Sequence, residues 1–151
     1  MASFIVTSTA FAEGDRIPAR YAHDHQDLSP PLSWSEPPTG TEELVLTCLD
    51  PDSPGGTFVH WLVAGIEPGT SRCEEGKPPI GSIEGRNDYG QVGYGGPQPP
   101  VGHGPHRYAF TLYALSRPID LRDGFDRADL AAAMEGCVIG STQITGTYER
   151  T

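Results

Sequence analysis

Proline and glycine set the terms on which this chain can fold. Fifteen prolines and 19 glycines fall among 151 residues and break the chain into short pieces. Proline lacks the backbone donor that a helix interior or a central strand requires, and glycine marks turns. Short pieces joined by long loops favour a mainly β domain over a helical one. The length suits a single domain over residues 1–151, able to bury about two-thirds of the surface its unfolded chain exposes.

Between the breaks, several runs alternate as strands do. "SFIVTST" sets Phe4 and Val6 against Ile5 and Thr7. "EELVLTCLD" places Leu44, Leu46, Cys48 and Asp50 on one face and Val45, Thr47 and Leu49 on the other. "TFVHWLVAG" places Phe58, His60, Leu62 and Ala64 opposite Val59, Trp61 and Val63. Both strands are apolar on both faces and are expected at the centre of a covered sheet. The link "PDSPGG" is short enough for antiparallel pairing, with Asp50 ending one strand and His60 a few residues into the next.

"HRYAFTLYAL" sets Tyr108, Phe110 and Leu112 against Arg107, Thr111 and Tyr113, and "TQITGTYER" reads as a short last strand. One helix is expected, in "FDRADLAAAMEGCVIG". Asp126 caps it, Asp129 suits its positive end, and Leu130, Ala133, Met134 and Cys137 form its apolar stripe. The proline-rich "HDHQDLSPPLSWSEPPTGT" is expected to be extended and irregular. Residues 67–105 show no regular pattern, and so long a stretch inside a compact domain points to a functional loop or a misread element.

Lys plus Arg number 10 against 20 Asp plus Glu, a net charge of −10. Such a surface disfavours nucleic acid and the anionic face of a membrane. No apolar run reaches the roughly 18 residues that span a bilayer, so no stable membrane insertion is expected. "MASFIVTSTAFAEGD" lacks the basic and apolar regions of a signal peptide, which makes the cytoplasm the expected location. Cys48, Cys73 and Cys137 are odd in number and widely spaced, which suggests neither a disulfide framework nor a zinc site. Cys48 and Cys137 fall on apolar patterns, whereas Cys73 is expected free and exposed in a polar loop.

The chemistry concentrates in two places. Asp50, Asp52 and His60 fit a structural turn plus a core histidine as well as they fit a site. The loop "NDYGQVGYGGPQPPVGHGPHRY" carries Gly93, Gly95 and Gly96, which can take positive φ and let backbone amides cradle an anion. Composition alone favours an exposed turn there over an anion nest. The loop has neither a dinucleotide fingerprint nor a phosphate-loop lysine, so no cofactor is expected. His23-x-His25 and His103-x-x-His106 have ligand-like spacing but fix no common face, and no metal is expected. No nucleophile elbow is present and no Ser or Cys is set up for activation, so no enzyme is expected.

Six fragments in order extend this reading: "SPPLSW", "LDPDSP", "FVHWLV", "NDYGQVGYGGPQPP", "HRYAFTLYAL" and "GTYER". Together they resemble the phosphatidylethanolamine-binding protein family, also called Raf kinase inhibitor protein-like, in its bacterial and archaeal branch. The resemblance implies a large antiparallel sheet packed on a smaller one, with a short C-terminal helical segment. It implies a small pocket for phosphate-type anions or phospholipid head groups, built from Asp50, Asp52, Pro54, His60, Gly95, Gly96, Pro97, His106 and Tyr108. Some relatives instead inhibit a kinase or protease by surface contact, and bacterial relatives often pair as homodimers. Two departures stand out: Asp27-Leu28 where the family usually has Asn before "SPPL", and Gln98 where bacterial members often carry Cys.

For phosphate, this model assigns the donors to the Gly95 and Gly96 amides, the Tyr108 hydroxyl and the two imidazoles. Asp50 orients an imidazole by accepting from one ring nitrogen. Gln98 leaves no reactive thiol at the rim, and Asp27 adds charge if it points inward.

Overall fold

The computed structural model describes residues 3–151; Met1 and Ala2 of the N-terminal stretch lie outside the described residues. The protein is mainly β. A small sheet joins β1 (Val6–Thr7), β2 (Leu32–Trp34) and β5 (Arg72–Cys73). A larger antiparallel sheet has the order β6-β4-β3-β7-β8, from β6 (Ile83–Glu84), β4 (Phe58–Ile66), β3 (Glu43–Asp50), β7 (His106–Leu115) and β8 (Val138–Tyr148). The helix α1 spans Arg127–Met134.

β3 and β4 are central, as their two apolar faces require. On one face Leu44, Leu46, Cys48, Trp61, Val63, Phe110 and Leu112 pack on the small sheet and the segment bearing Phe11 and Ile17. On the other, Val45, Val59, Leu62, Ala64 and Leu115 pack under Phe125 and Leu130 of the helical region. β3 pairs with both β4 and β7, so the tight "PDSPGG" link closes a true hairpin.

Strict alternation along β4 does not survive. Leu49 pairs with Val59 and Cys48 with Trp61, so His60 is an extra residue in the ladder. This bulge turns His60 to the same side as Trp61, not to that of Leu62 and Ala64. A second irregularity between Leu44 and Leu46 absorbs Gly65, whose φ is +73°, and returns Ile66 to the first core.

Other expectations also shift. The first strand is shorter than "SFIVTST", and β8 is longer than a short terminal strand because it pairs along the whole of β7. The proline-rich segment yields one strand, β2, just after Pro31. Residues 67–105 hold only β5 and β6. Cys73 is buried on β5, not exposed, because its pairing with Leu32 carries it into the inter-sheet core. The helix starts as read: Asp126 accepts from the Asp129 amide, and Asp129 returns a bond to the Asp126 amide.

Candidate functional site

At one end of the large sheet, β3 finishes at Asp50 while β4 and β7 begin at Phe58 and His106. A cavity of about 170 Å³ opens there. Asp50, Pro54, His60, His106 and Tyr108 all border it, so the hairpin and the distant glycine–proline loop do close around one space. The bulge in β4 is what aims His60 into it.

Hydrogen bonds fix most of the protons. His60 is 3% exposed, and its Nδ1 lies 2.6 Å from the Gly95 carbonyl oxygen, which can only accept. Nδ1 therefore carries the proton. Burial holds His60 below the ordinary histidine range, so near neutral pH its Nε2 keeps a lone pair. His106 Nδ1 donates to Asp50 Oδ2 at 2.7 Å, and Asp50 Oδ1 accepts from the Asp52 amide at 2.7 Å. The expected carboxylate–imidazole contact thus falls on His106. Its Nε2 lies 2.6 Å from His103 Nδ1, which completes a chain from Asp50 through His106 to His103. Tyr108 is 1% exposed, and its hydroxyl has no hydrogen-bond partner at ordinary distance, although the Asp50 carboxylate is close by. Burial and the nearby Asp50 charge push that phenol well above the ordinary tyrosine range, so it stays protonated.

Four expected site residues do not reach the cavity wall. Asp52 turns outward, accepting from the Arg107 amide at 2.8 Å and pairing with its guanidinium. Those bonds hold its carboxyl down at about 2. Gly95 donates its amide to the His60 carbonyl and Gly96 donates to Asp27 Oδ1, so neither amide is free for an anion. Pro97 accepts from the His23 amide behind the wall. Positive φ is confined to Gly93 in this trio; Gly95 and Gly96 are needed for close approach instead. A Cβ at Gly95 would strike the Tyr89 ring, and one at Gly96 would strike the Tyr21 carbonyl oxygen.

Other residues supply the wall. Phe58 and Tyr89 meet edge to face at 4.9 Å and form its aromatic side, and Gln98, Pro99 and Pro100 form its lip. Ser53 adds a hydroxyl-bearing side chain. The "NDYG" turn was the available signal for Tyr89, since Asn87 Oδ1 accepts from both the Tyr89 and Gln91 amides. Behind Tyr89, His23 stacks on the ring at 3.9 Å and meets Asp27 Oδ2 at 3.1 Å. Asp27 thus backs the wall without entering the cavity, and burial raises its carboxyl above the ordinary range. Among the described residues no cluster of His, Cys, Asp and Glu could hold a metal ion, and no helix is long and apolar enough to cross a membrane.

The chain is similar to known proteins along nearly its whole length. The family model described as phosphatidylethanolamine-binding protein matches residues 7–149. The UPF0098 protein of Methanothermobacter thermautotrophicus is 44% identical over 146 residues, 93% of this chain and 95% of that protein. A Mycobacterium tuberculosis protein, LppC, whose name describes it as a lipoprotein, is 40% identical over 144 residues, 95% of this chain and 71% of its own length. The crystal structure of Escherichia coli YbcL, described as a member of the mammalian family, superposes with a TM-score of 0.93 at 31% identity, covering 99% of this chain and 100% of that one. The cavity-bearing hairpin and loop lie inside the matched span, and the chain belongs to the phosphatidylethanolamine-binding protein family, in its bacterial and archaeal branch.

Proposed function

We propose that the protein is a non-enzymatic binding module whose cavity takes a small phosphate-type anion, free or as a head group. One observation carries the reading: a buried Tyr108 hydroxyl without a partner, in the same small cavity as His60, whose Nδ1 is committed to the Gly95 carbonyl. Buried polar groups without partners cost about 1–3 kcal/mol, a cost that a bound ligand recovers. Tyr108 can donate to an unprotonated phosphate oxygen. Neutral His60 can accept from a protonated one, which favours the monoanion over the dianion. The Asp50 carboxylate nearby acts in the same direction, because it repels the second charge.

Calorimetric titration with inorganic phosphate and O-phosphorylethanolamine tests this. Replacing Tyr108 by Phe should weaken binding about tenfold to a hundredfold, the worth of one hydrogen bond to a charged acceptor. Affinity for a phosphomonoester should fall as pH rises past about 6, where its second proton leaves. A flat profile removes the proton-sharing role of His60. Undiminished binding by Tyr108→Phe removes the donor. Ester or phosphoester turnover abolished by His60→Ala would overturn the non-enzymatic reading. Inhibition of a protease or kinase that survives Tyr108→Phe would assign the function to the surface instead.

A further inference from the structure

His106 has two ring nitrogens, and the protein itself uses both. Nδ1 donates to Asp50, deep in the fold, so Nε2 is the one nitrogen left for a ligand. Nε2 is taken by His103 at 2.6 Å. The two rings meet edge to face, with centroids 4.9 Å apart, and one proton lies between the facing nitrogens.

His103 is poorly anchored. It is exposed, on the turn whose first residue, Pro100, forms part of the cavity lip, and its amide bonds the Pro100 carbonyl. Gly102 and Gly104 flank it with φ of +77° and +85°. A ring carried between two glycines on a surface turn can leave at small conformational cost.

We propose that His103 is an internal competitor for the site, holding the place on His106 Nε2 that a phosphate hydroxyl takes, so that binding requires its displacement. The inference rests on the anion reading above. It makes His103 the residue that sets affinity without lining the cavity. A site whose competent form must first release an internal partner binds more weakly by the fraction of time that form is populated. Removing the partner removes the penalty.

His103→Ala, at an exposed turn, should therefore bind inorganic phosphate more tightly than the parent protein by about fivefold, the fold-change equivalent to one neutral hydrogen bond. In the parent protein, nitrogen-15 spectra of the histidine rings should show His106 Nε2 shifting as phosphate is added, while His103 moves to the position of a free imidazole. Equal or weaker phosphate affinity in His103→Ala would overturn the proposal. So would a His103 signal unmoved at saturating phosphate. If neither protein binds phosphate, the anion reading fails and this inference fails with it. Binding by both with equal affinity removes the competitor and leaves the anion site standing.

Discussion

At Gly96 a single added methyl would collide with the Tyr21 carbonyl oxygen and come within 3.0 Å of Asp27 Oδ1. Neither neighbour can give way easily, since one is backbone and the other is held by the Gly96 amide itself. Gly96→Ala should destabilise the fold by at least about 2 kcal/mol, measured by urea denaturation. Unchanged stability would show that the two segments are not pressed together there. The loop "VGYGGP" reads as glycines needed for positive φ, yet neither Gly95 nor Gly96 adopts it. Glycine content signals a need for small size or unusual φ; only the packed partners, more than 70 residues away in the case of Tyr21, decide which. The pairing of Asp50 with His106 was hidden in the same way. The chemistry demanded a carboxylate on an imidazole, but 56 residues separate the two and His60 was nearer in sequence.

Elements were more legible than residues because periodicity is local. The hairpin of β3 and β4, the alternating β7 and the capped helix all follow from patterns within about ten residues. Bulges escape such reading, since one extra residue reverses every later side chain. The irregularity near Gly65 shows what holds one in place. Glu43, 6% exposed, accepts from the Gly65 amide through Oε2 at 3.0 Å and from the Ile119 amide through Oε1 at 3.1 Å. It thereby ties the bulge to the segment leading toward α1. Glu43→Ala leaves two amides without partners and should cost about 2–4 kcal/mol. Hydrogen exchange at Gly65 and Ile119 should rise more than at Leu46. Uniform acceleration across β3 would mean that Glu43 supports global stability and not this junction. Cys73 escapes sequence reading for a related reason: a two-residue strand has no period to read, and only its partner Leu32 carries it inward.

Across the whole molecule, the buried titratable groups bound the pH range in which the fold is most stable. His60 sits below the ordinary histidine value of 6.5. Below that pH the unfolded chain binds a proton that the folded chain refuses, so stability falls as the solution becomes more acidic. Asp52 adds a later loss. Its folded value of about 2 lies under the ordinary 3.8, so its contribution is present above that value and disappears as pH drops toward 2. Solvent screening of the exposed Arg107 pair keeps this share small. On the alkaline side burial raises Cys73 from 9.0 to about 11, and Tyr21, beside Glu75, from 10.0 to about 12. There the unfolded chain releases protons first, and stability falls as pH rises above about 9. Urea denaturation between pH 4 and 10 should therefore show a plateau from about 6.5 to 9 with losses on both sides. The acid limb near pH 6 should have a slope of at most about 1.4 kcal/mol per pH unit, the limit for one proton. His60→Gln keeps a side-chain donor for the Gly95 carbonyl but cannot titrate, and should flatten that limb while leaving the alkaline one unchanged. A slope that persists in His60→Gln would place the acid sensitivity elsewhere, and the neutral, proton-accepting His60 required by the anion reading would lose its independent support.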